Sequence, residues 1–99
     1  MKRVEFHPAA DREAHNAALR YEDLRSGLGV DFQTELDAAL TRIQQNPQLY
    51  AAESGTVRLC PLHRFSYSIV YQELPDRIWV AAISHHGRRP GYWRRRRPN

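Results

Sequence analysis

Residues 64–84 read RFSYSIVYQELPDRIWVAAIS, and this stretch contains two runs that alternate with a period of two. The alternating residues of the first run are Phe65, Tyr67, Ile69 and Tyr71. Those of the second run are Ile78, Val80, Ala82 and Ser84. This period predicts β-strands, and the short connection at residues 73–77, which contains Pro75 and Asp76, predicts an antiparallel hairpin.

Two shorter strands are predicted upstream of this hairpin. Val4 and Phe6 flank a charged residue near the start of the chain, and Val57 and Leu59 flank another just before the hairpin. The last three predicted strands follow one another closely, so we expect a meander. Residues 48–56 show no strong apolar period, and we expect a loop there.

Between the first strand and this loop, apolar residues repeat every three or four positions, which predicts two α-helices. The first should begin near Pro8 and end at Ser26-Gly27, with Gly27 as its C-terminal cap. The second should end at Asn46-Pro47, because proline disfavours a helical conformation in the preceding residue. Since few residues separate the helices, they should form an antiparallel hairpin. The apolar stripes consist of Ala14, Ala17, Ala18, Tyr21 and Leu24, and then of Phe32, Leu36, Ala39, Leu40 and Ile43.

The order of these elements predicts an α+β fold, β-α-α-β-β-β, in which a helix hairpin packs on a small, mainly antiparallel sheet. The length of 99 residues predicts one domain spanning residues 1–99, ending in a basic segment at residues 88–99. We expect the helices to cover one face of the sheet and the other face to stay partly open.

The basic residues are concentrated at the C-terminal end. Residues 1–87 contain nine Lys and Arg against eleven Asp and Glu, a formal charge of −2. Residues 88–99 contain six Arg and no acidic residue, a charge of +6. A patch of this kind attracts phosphate groups or an acidic protein.

Other features of the composition restrict the class of protein. The single cysteine, Cys60, excludes an internal disulfide and fits a reducing compartment. There is neither a secretion signal nor an apolar run of membrane-spanning length, so we expect a cytoplasmic protein with no membrane segment. The five histidines show no metal-ligand spacing beyond the adjacent pair His85 and His86, and we expect no metal and no cofactor.

A series of short motifs runs in order through nearly the whole chain. They are Val4-Glu5-Phe6 with Pro8 and Ala10, Tyr21, Gly29 with Phe32, Asn46-Pro47, Val57-Arg58, residues 65–71, and His85 followed by Arg88-Arg89-Pro90-Gly91-Tyr92-Trp93. In this order and spacing they resemble the RelE/ParE toxin superfamily, the toxic half of bacterial type II toxin-antitoxin modules. The resemblance is closer to the ParE branch, where many sequences end in a phrase similar to residues 90–93.

The resemblance implies one of two activities, because the superfamily contains inhibitors of DNA gyrase and ribosome-dependent messenger-RNA nucleases. The nucleases commonly carry an arginine where this chain has Ser68. This difference favours the ParE-like activity, inhibition of DNA gyrase. The predicted target-binding residues are Arg58, Arg64, Arg88, Arg89, Tyr92, Trp93 and Arg94.

The resemblance also implies a cognate antitoxin as a protein partner. An otherwise unstructured antitoxin segment should lie in apolar grooves along the helix hairpin and sheet, with its acidic residues meeting the arginines.

The alternative activity is a RelE-like, metal-independent endonuclease acting on ribosome-bound messenger RNA. His85 would be its general base or acid, and Tyr92 would orient or stack a nucleobase. Arg88 would stabilise the charged intermediate. Arg64, an even number of residues before Ser68, should share a strand face with it and partly replace the missing arginine. A second alternative is a degenerate family member that keeps the fold and the antitoxin-binding surface but is not toxic.

Overall fold

The apolar stripes and alternating runs form two helices and five strands in a computed structural model, which describes residues 1–98. The helices are α1 (Pro8–Leu24) and α2 (Leu28–Gln45), and the strands are β1 (Arg3–Phe6), β2 (Ala52–Ser54), β3 (Val57–Pro61), β4 (Tyr67–Glu73) and β5 (Arg77–His85). The strands form one sheet in the order β1-β5-β4-β3-β2. β1 pairs with β5 in parallel, and the other neighbours are antiparallel. The predicted α+β class and helix hairpin are confirmed.

β2 lies within the segment predicted to be a loop, so that prediction is wrong for three residues. All three are exposed, and neither face of β2 carries the apolar alternation by which a strand is recognised in sequence. Gly55 reverses the chain into β3 with a positive φ of 56°. The resulting edge strand is short, which limits pairing with other chains.

The turn between the helices differs from the prediction in the role of Gly27. This glycine has the left-handed conformation, with φ of 89°, but it is the N-cap of α2, whereas α1 ends at Leu24. Gly27 offers no side chain, and the Glu22 carboxylate accepts the N–H groups of Gly27 and Gly29 instead, at 2.9 and 3.0 Å. The predicted stripe of α1 is too long by one residue, because Leu24 is 73% exposed.

The main core lies between the helix hairpin and one face of the sheet. Burial of α1 uses small residues, Ala10, Ala14 and Ala17, which allow close approach to the sheet. The remaining fully buried residues of this core include Phe32, Leu36, Ala39, Ile43, Cys60, Ile69, Tyr71, Ile78, Val80 and Ile83. The predicted stripe of α2 is therefore confirmed at its buried positions.

A β-bulge in β5 changes which residues share a face. Val70 is opposite Ala82 and Tyr71 is opposite Val80, so Ala81 is an extra residue in β5. Ala82 was predicted to share a face with Val80, but it packs on the second face of the sheet instead. The alternation in sequence did not reveal the bulge, because alanine is small and apolar enough to be buried on either face.

The second face of the sheet is covered by the C-terminal segment, residues 88–97, and is not left open as predicted. Trp93, only 6% exposed, packs there with Val70, Trp79, Ala81 and Ala82. Successive backbone hydrogen bonds, including Arg94 N–H to Gly91 C=O and Arg96 N–H to Trp93 C=O, both 3.0 Å, give this segment a regular turn structure. The positive φ of 76° at Gly91 permits the reversal that brings Trp93 onto the sheet.

Candidate functional site

The C-terminal segment is fixed to α1 by a network centred on Glu13. The Arg96 guanidinium donates to both carboxylate oxygens of Glu13, at 3.0 Å each, and to the Ala81 carbonyl at 2.9 Å. The Tyr92 hydroxyl donates to Glu13 Oε2 at 2.8 Å. The Ile83 N–H, at the bulged end of β5, donates to Glu13 Oε1 at 3.1 Å. Glu13 therefore accepts four hydrogen bonds and joins the helix, the sheet and the C-terminal segment.

The electrostatics of this network follow from its burial. The Glu13 and Arg96 side chains are 17% and 18% exposed, so water screens their attraction only weakly. Hydrogen bonding to Glu13 raises the pKa of the Arg96 guanidinium above its ordinary value. Burial, together with the bond to Glu13, raises the pKa of the Tyr92 hydroxyl. Both groups keep their protons at neutral pH, and the network remains intact there.

A cleft of about 380 Å³ opens between α1 and the end of β5. His85 lies in this cleft, opposite Tyr67 in the sheet, and their rings make an edge contact with centroids 5.0 Å apart. The Gly87 N–H donates to His85 Nδ1 at 2.9 Å, so the neutral ring carries its proton on Nε2. The cleft is lined by Glu13, Asn16, Arg20, Tyr67, Ile83, His85 and Arg88.

Two guanidinium groups of the cleft lie against aromatic rings. The Arg88 guanidinium carbon lies 3.9 Å from the centroid of the Tyr92 ring, and that of Arg20 lies 5.9 Å from the centroid of Tyr67. Arg20 also donates to the Tyr67 hydroxyl. These contacts orient both cations without neutralising their charge.

The predicted target-binding residues of the C-terminal segment have unequal roles. Arg88, Arg89 and Arg94 are exposed, and Tyr92 is half-buried under the Arg88 guanidinium. Arg94 lies 3.8 Å from a carboxylate oxygen of Glu53. Trp93 is buried against the sheet and anchors the segment, so its side chain is not accessible to a target, whereas those of Arg88, Arg89 and Arg94 are.

The two upstream arginines predicted to bind a target are separated from this cleft. Arg58, on β3, turns back and donates to the Tyr50 carbonyl at 2.7 Å, which fastens the chain before β2. Arg64 precedes β4, lies 3.5 Å from Asp31 of α2, and its guanidinium carbon is 5.3 Å from the centroid of the Phe65 ring.

The expectation that Arg64 and Ser68 share a strand face is wrong. β4 begins at Tyr67, so Arg64 lies in the preceding loop, and the alternation of a strand does not apply to it. Ser68 is 8% exposed, and its hydroxyl is 2.9 Å from His86 Nε2. The Arg64 guanidinium lies beside Asp31 of α2, and within residues 1–98 no hydrogen bond joins it to Ser68.

Of the four residues of the nuclease alternative, three come together and one does not. His85 and Arg88 line the cleft, and Tyr92 carries Arg88 on its ring. Within residues 1–98 no group of three or more His, Cys, Asp and Glu side chains has the geometry to hold a metal ion. In the same part of the chain, neither helix has the length and apolar character needed to cross a bilayer.

Four residues of the site were not predicted from the sequence: Glu13, Asn16, Arg20 and Arg96. The first three are spaced three and four residues apart on α1, beside the buried stripe of Ala10, Ala14 and Ala17. Polar residues that follow the border of a buried helix face at this spacing are the signal that could have indicated them.

Comparison with known proteins identifies the family. Residues 4–90 match the family model described as the ParE toxin of the type II toxin-antitoxin system, parDE. The chain belongs to the ParE toxin family. Among solved structures, the fold is similar to one from the chromosomal ParDE TA system from P. aeruginosa, with a TM-score of 0.74 and 17% sequence identity over 86% of this chain and 96% of that chain. No curated protein matches the sequence significantly.

Within this ParE-family chain, the family match and the site overlap only in part. The matched range includes every residue that lines the cleft, from Glu13 to Arg88. It ends at residue 90, so Tyr92, Trp93 and Arg96 lie beyond it. The contacts that fix the C-terminal segment of this toxin are therefore described by its own structure and not by the family model.

Proposed function

We propose that this toxin inhibits DNA gyrase and that a cognate antitoxin neutralises it. The observation that carries the proposal is Ser68, which stands where the superfamily's nucleases commonly have an arginine. The Ser68 hydroxyl is hydrogen-bonded to the His86 ring. Arg64, the residue predicted to replace the missing arginine, pairs instead with Asp31 of α2. Ser68 therefore supplies no cation for a charged phosphorane, the role that the arginine at this position would serve in the superfamily's nucleases.

The geometry of His85 also favours a binding function over RNA cleavage. A general base must accept a proton from the ribose 2′-hydroxyl, and His85 Nδ1 already accepts the Gly87 N–H. The exposed nitrogen, Nε2, carries the proton of the neutral ring and is a donor. His85 and the arginines beside it suit recognition of an anionic surface.

The helix hairpin offers an apolar surface for the proposed antitoxin. Leu24, near the turn, is 73% exposed, and Val30, at the start of α2, is 67% exposed. Leu19 of α1 is also exposed. An amphipathic segment of the antitoxin would bury these side chains and place its acidic residues toward the arginines. The exposed apolar side chains thus support neutralisation by a segment that folds as it binds.

The direct test is a supercoiling assay with purified gyrase, the purified chain and relaxed plasmid. We expect inhibition or trapped, cleaved DNA at roughly micromolar toxin, and relief when the antitoxin is added first. An in vitro translation reaction with the same toxin should leave messenger RNA intact. Unchanged supercoiling together with messenger RNA cut on the ribosome would replace the proposal with the nuclease activity. Normal growth on expression without antitoxin would instead indicate a degenerate toxin.

A further inference from the structure

The cleft between α1 and β5 contains cations that no acidic side chain neutralises. Within residues 1–98, neither Arg20 nor Arg88 lies within 4 Å of a carboxylate. Glu13 is the acidic residue of the cleft, and its carboxylate already accepts hydrogen bonds from Arg96, Tyr92 and the Ile83 N–H. The cleft thus presents two positive charges beside a carboxylate whose own charge is compensated.

The uncharged groups of the cleft are mainly hydrogen-bond donors. The Tyr67 hydroxyl accepts from Arg20 and keeps its own hydrogen to donate. His85 presents Nε2–H, because its Nδ1 is occupied. The Asn16 amide lies on the same side of α1 and also lines the cleft. An anion with several acceptor oxygens is the ligand that these groups fit.

We propose that this cleft binds a phosphodiester of a DNA backbone. Guanidinium groups pair with phosphate in a bidentate manner, and the Arg88 guanidinium carbon lies 3.9 Å from the centroid of the Tyr92 ring. One N–H of Arg20 is donated to the Tyr67 hydroxyl, and its other N–H groups can reach an anion. A volume of about 380 Å³ accepts one phosphate with its sugar. The inference rests on the proposed function in one respect: the DNA is that held by gyrase, so the toxin contacts the nucleic acid as well as the enzyme.

The surroundings of the cleft favour a nucleic acid over an acidic peptide. The exposed side chains of Arg89 and Arg95 continue the positive surface along the C-terminal segment, where no acidic residue occurs. The DNA backbone carries a negative charge on every phosphate, so successive phosphates could contact these arginines one after another.

The test measures binding of the purified full-length chain to a short fluorescein-labelled DNA duplex by anisotropy over a series of salt concentrations. We expect Arg20→Gln and Arg88→Gln each to weaken binding roughly tenfold and to lower the salt slope by about one, equally for duplexes of different sequence. Arg88→Lys keeps the charge but loses the paired N–H groups that bind phosphate in a bidentate manner, so it should reduce the affinity less than Arg88→Gln does. The matched control is Arg12→Gln, an exposed arginine of α1 with the same change of charge, which should stay within about twofold of the unmodified chain. Circular dichroism checks that each variant is folded.

Several outcomes would overturn the inference: no binding of the duplex by the unmodified chain, equal binding by the cleft variants, or equal loss in Arg12→Gln. Displacement of the duplex by poly-glutamate at the same concentration of charge would assign the cleft to a protein carboxylate. A gyrase assay on the same proteins separates the two proposals. If the cleft variants lose DNA binding while the unmodified chain leaves supercoiling unchanged, the gyrase proposal fails and the site stands. If gyrase is inhibited equally by all of them, the proposal that the cleft contacts the DNA held by gyrase fails.

Discussion

Gly29 lies where α2 begins to pack against α1, and its missing side chain sets how closely the helices approach. A Cβ atom at this position would lie 2.6 Å from the backbone oxygen of Ala18 and 3.0 Å from the Glu22 carboxylate that caps α2. The Ala18 oxygen belongs to a helix backbone and cannot move without shifting α1.

We therefore expect Gly29→Ala to lower the free energy of unfolding by about 1–3 kcal/mol, despite the higher helix propensity of alanine. Urea denaturation followed by circular dichroism measures the change. Thr34→Ala, at an exposed position of the same helix, is the control and should change stability by no more than about 0.5 kcal/mol. A stabilised Gly29→Ala variant would mean that the helices can separate at no cost.

Burial of the Tyr71 hydroxyl makes the free energy of unfolding depend on pH in the alkaline range. Tyr71 is fully buried, and its hydroxyl donates to the carbonyl of Pro47, just after α2, at 2.7 Å. Burial raises its pKa to about 12 in the folded chain, whereas an unfolded tyrosine titrates near 10. Between these values the unfolded chain loses a proton that the folded chain keeps, so stability present below pH 10 is lost as the pH rises toward 12.

We expect the free energy of unfolding to fall by about 2 kcal/mol between pH 10 and pH 12 through Tyr71. Tyr71→Phe should flatten this fall, although it also removes the bond to Pro47 and so starts from a lower stability. Urea titrations at intervals of pH provide the measurement. An identical slope in both proteins would show that other groups, such as Tyr67 and Tyr92, account for the pH dependence.

At the scale of elements, the sequence predicted those parts of the fold in which one side of an element is apolar. The stripes of both helices and the alternation of β4 are of this kind. β2 was missed because its residues are all exposed, and the bulge at Ala81 because alanine is buried on either face. The site followed the same rule: the positions of His85 and Arg88 come from local sequence, but the pairing of Glu13 with Arg96 joins residues 83 positions apart.

The Glu13 network gives a prediction for the C-terminal segment. Glu13→Gln keeps the shape of the side chain but turns an amide donor toward the Arg96 guanidinium, so we expect a loss of about 1–2 kcal/mol. Together with Arg96→Gln it forms a double-mutant cycle whose coupling energy should be about 1 kcal/mol. Asp23→Asn, an exposed acid of α1, is the control. A coupling energy near zero in the urea data would mean that the pair does not fasten the segment.

At the scale of the whole molecule, the sheet is a shared layer with a helix hairpin on one face and the C-terminal segment on the other. Trp93 and Arg96 are turned inward and hold this segment in place, while Arg88, Arg89, Arg94, Arg95 and Arg97 are exposed. The six positive charges at the end of the chain are therefore divided into one that is structural and five that face outward. Removing the whole segment would uncover the second core, so it could not reveal what the exposed charges do.

Substitution of two outward charges separates these roles. Arg89 and Arg95 are exposed, and within residues 1–98 their side chains make no hydrogen bond or ion pair, so the double variant Arg89→Gln, Arg95→Gln should retain the stability of the fold. If the chain inhibits gyrase as proposed and this segment contacts an anionic target, the toxin concentration needed for half-inhibition of gyrase should rise roughly three- to tenfold, and less so at high salt. The control, Arg12→Gln with Arg25→Gln, removes the same charge from α1 and the turn that follows it. Equal weakening by both pairs would indicate a response to net charge alone, whereas a selective effect of the first pair would locate the target contact on the C-terminal segment.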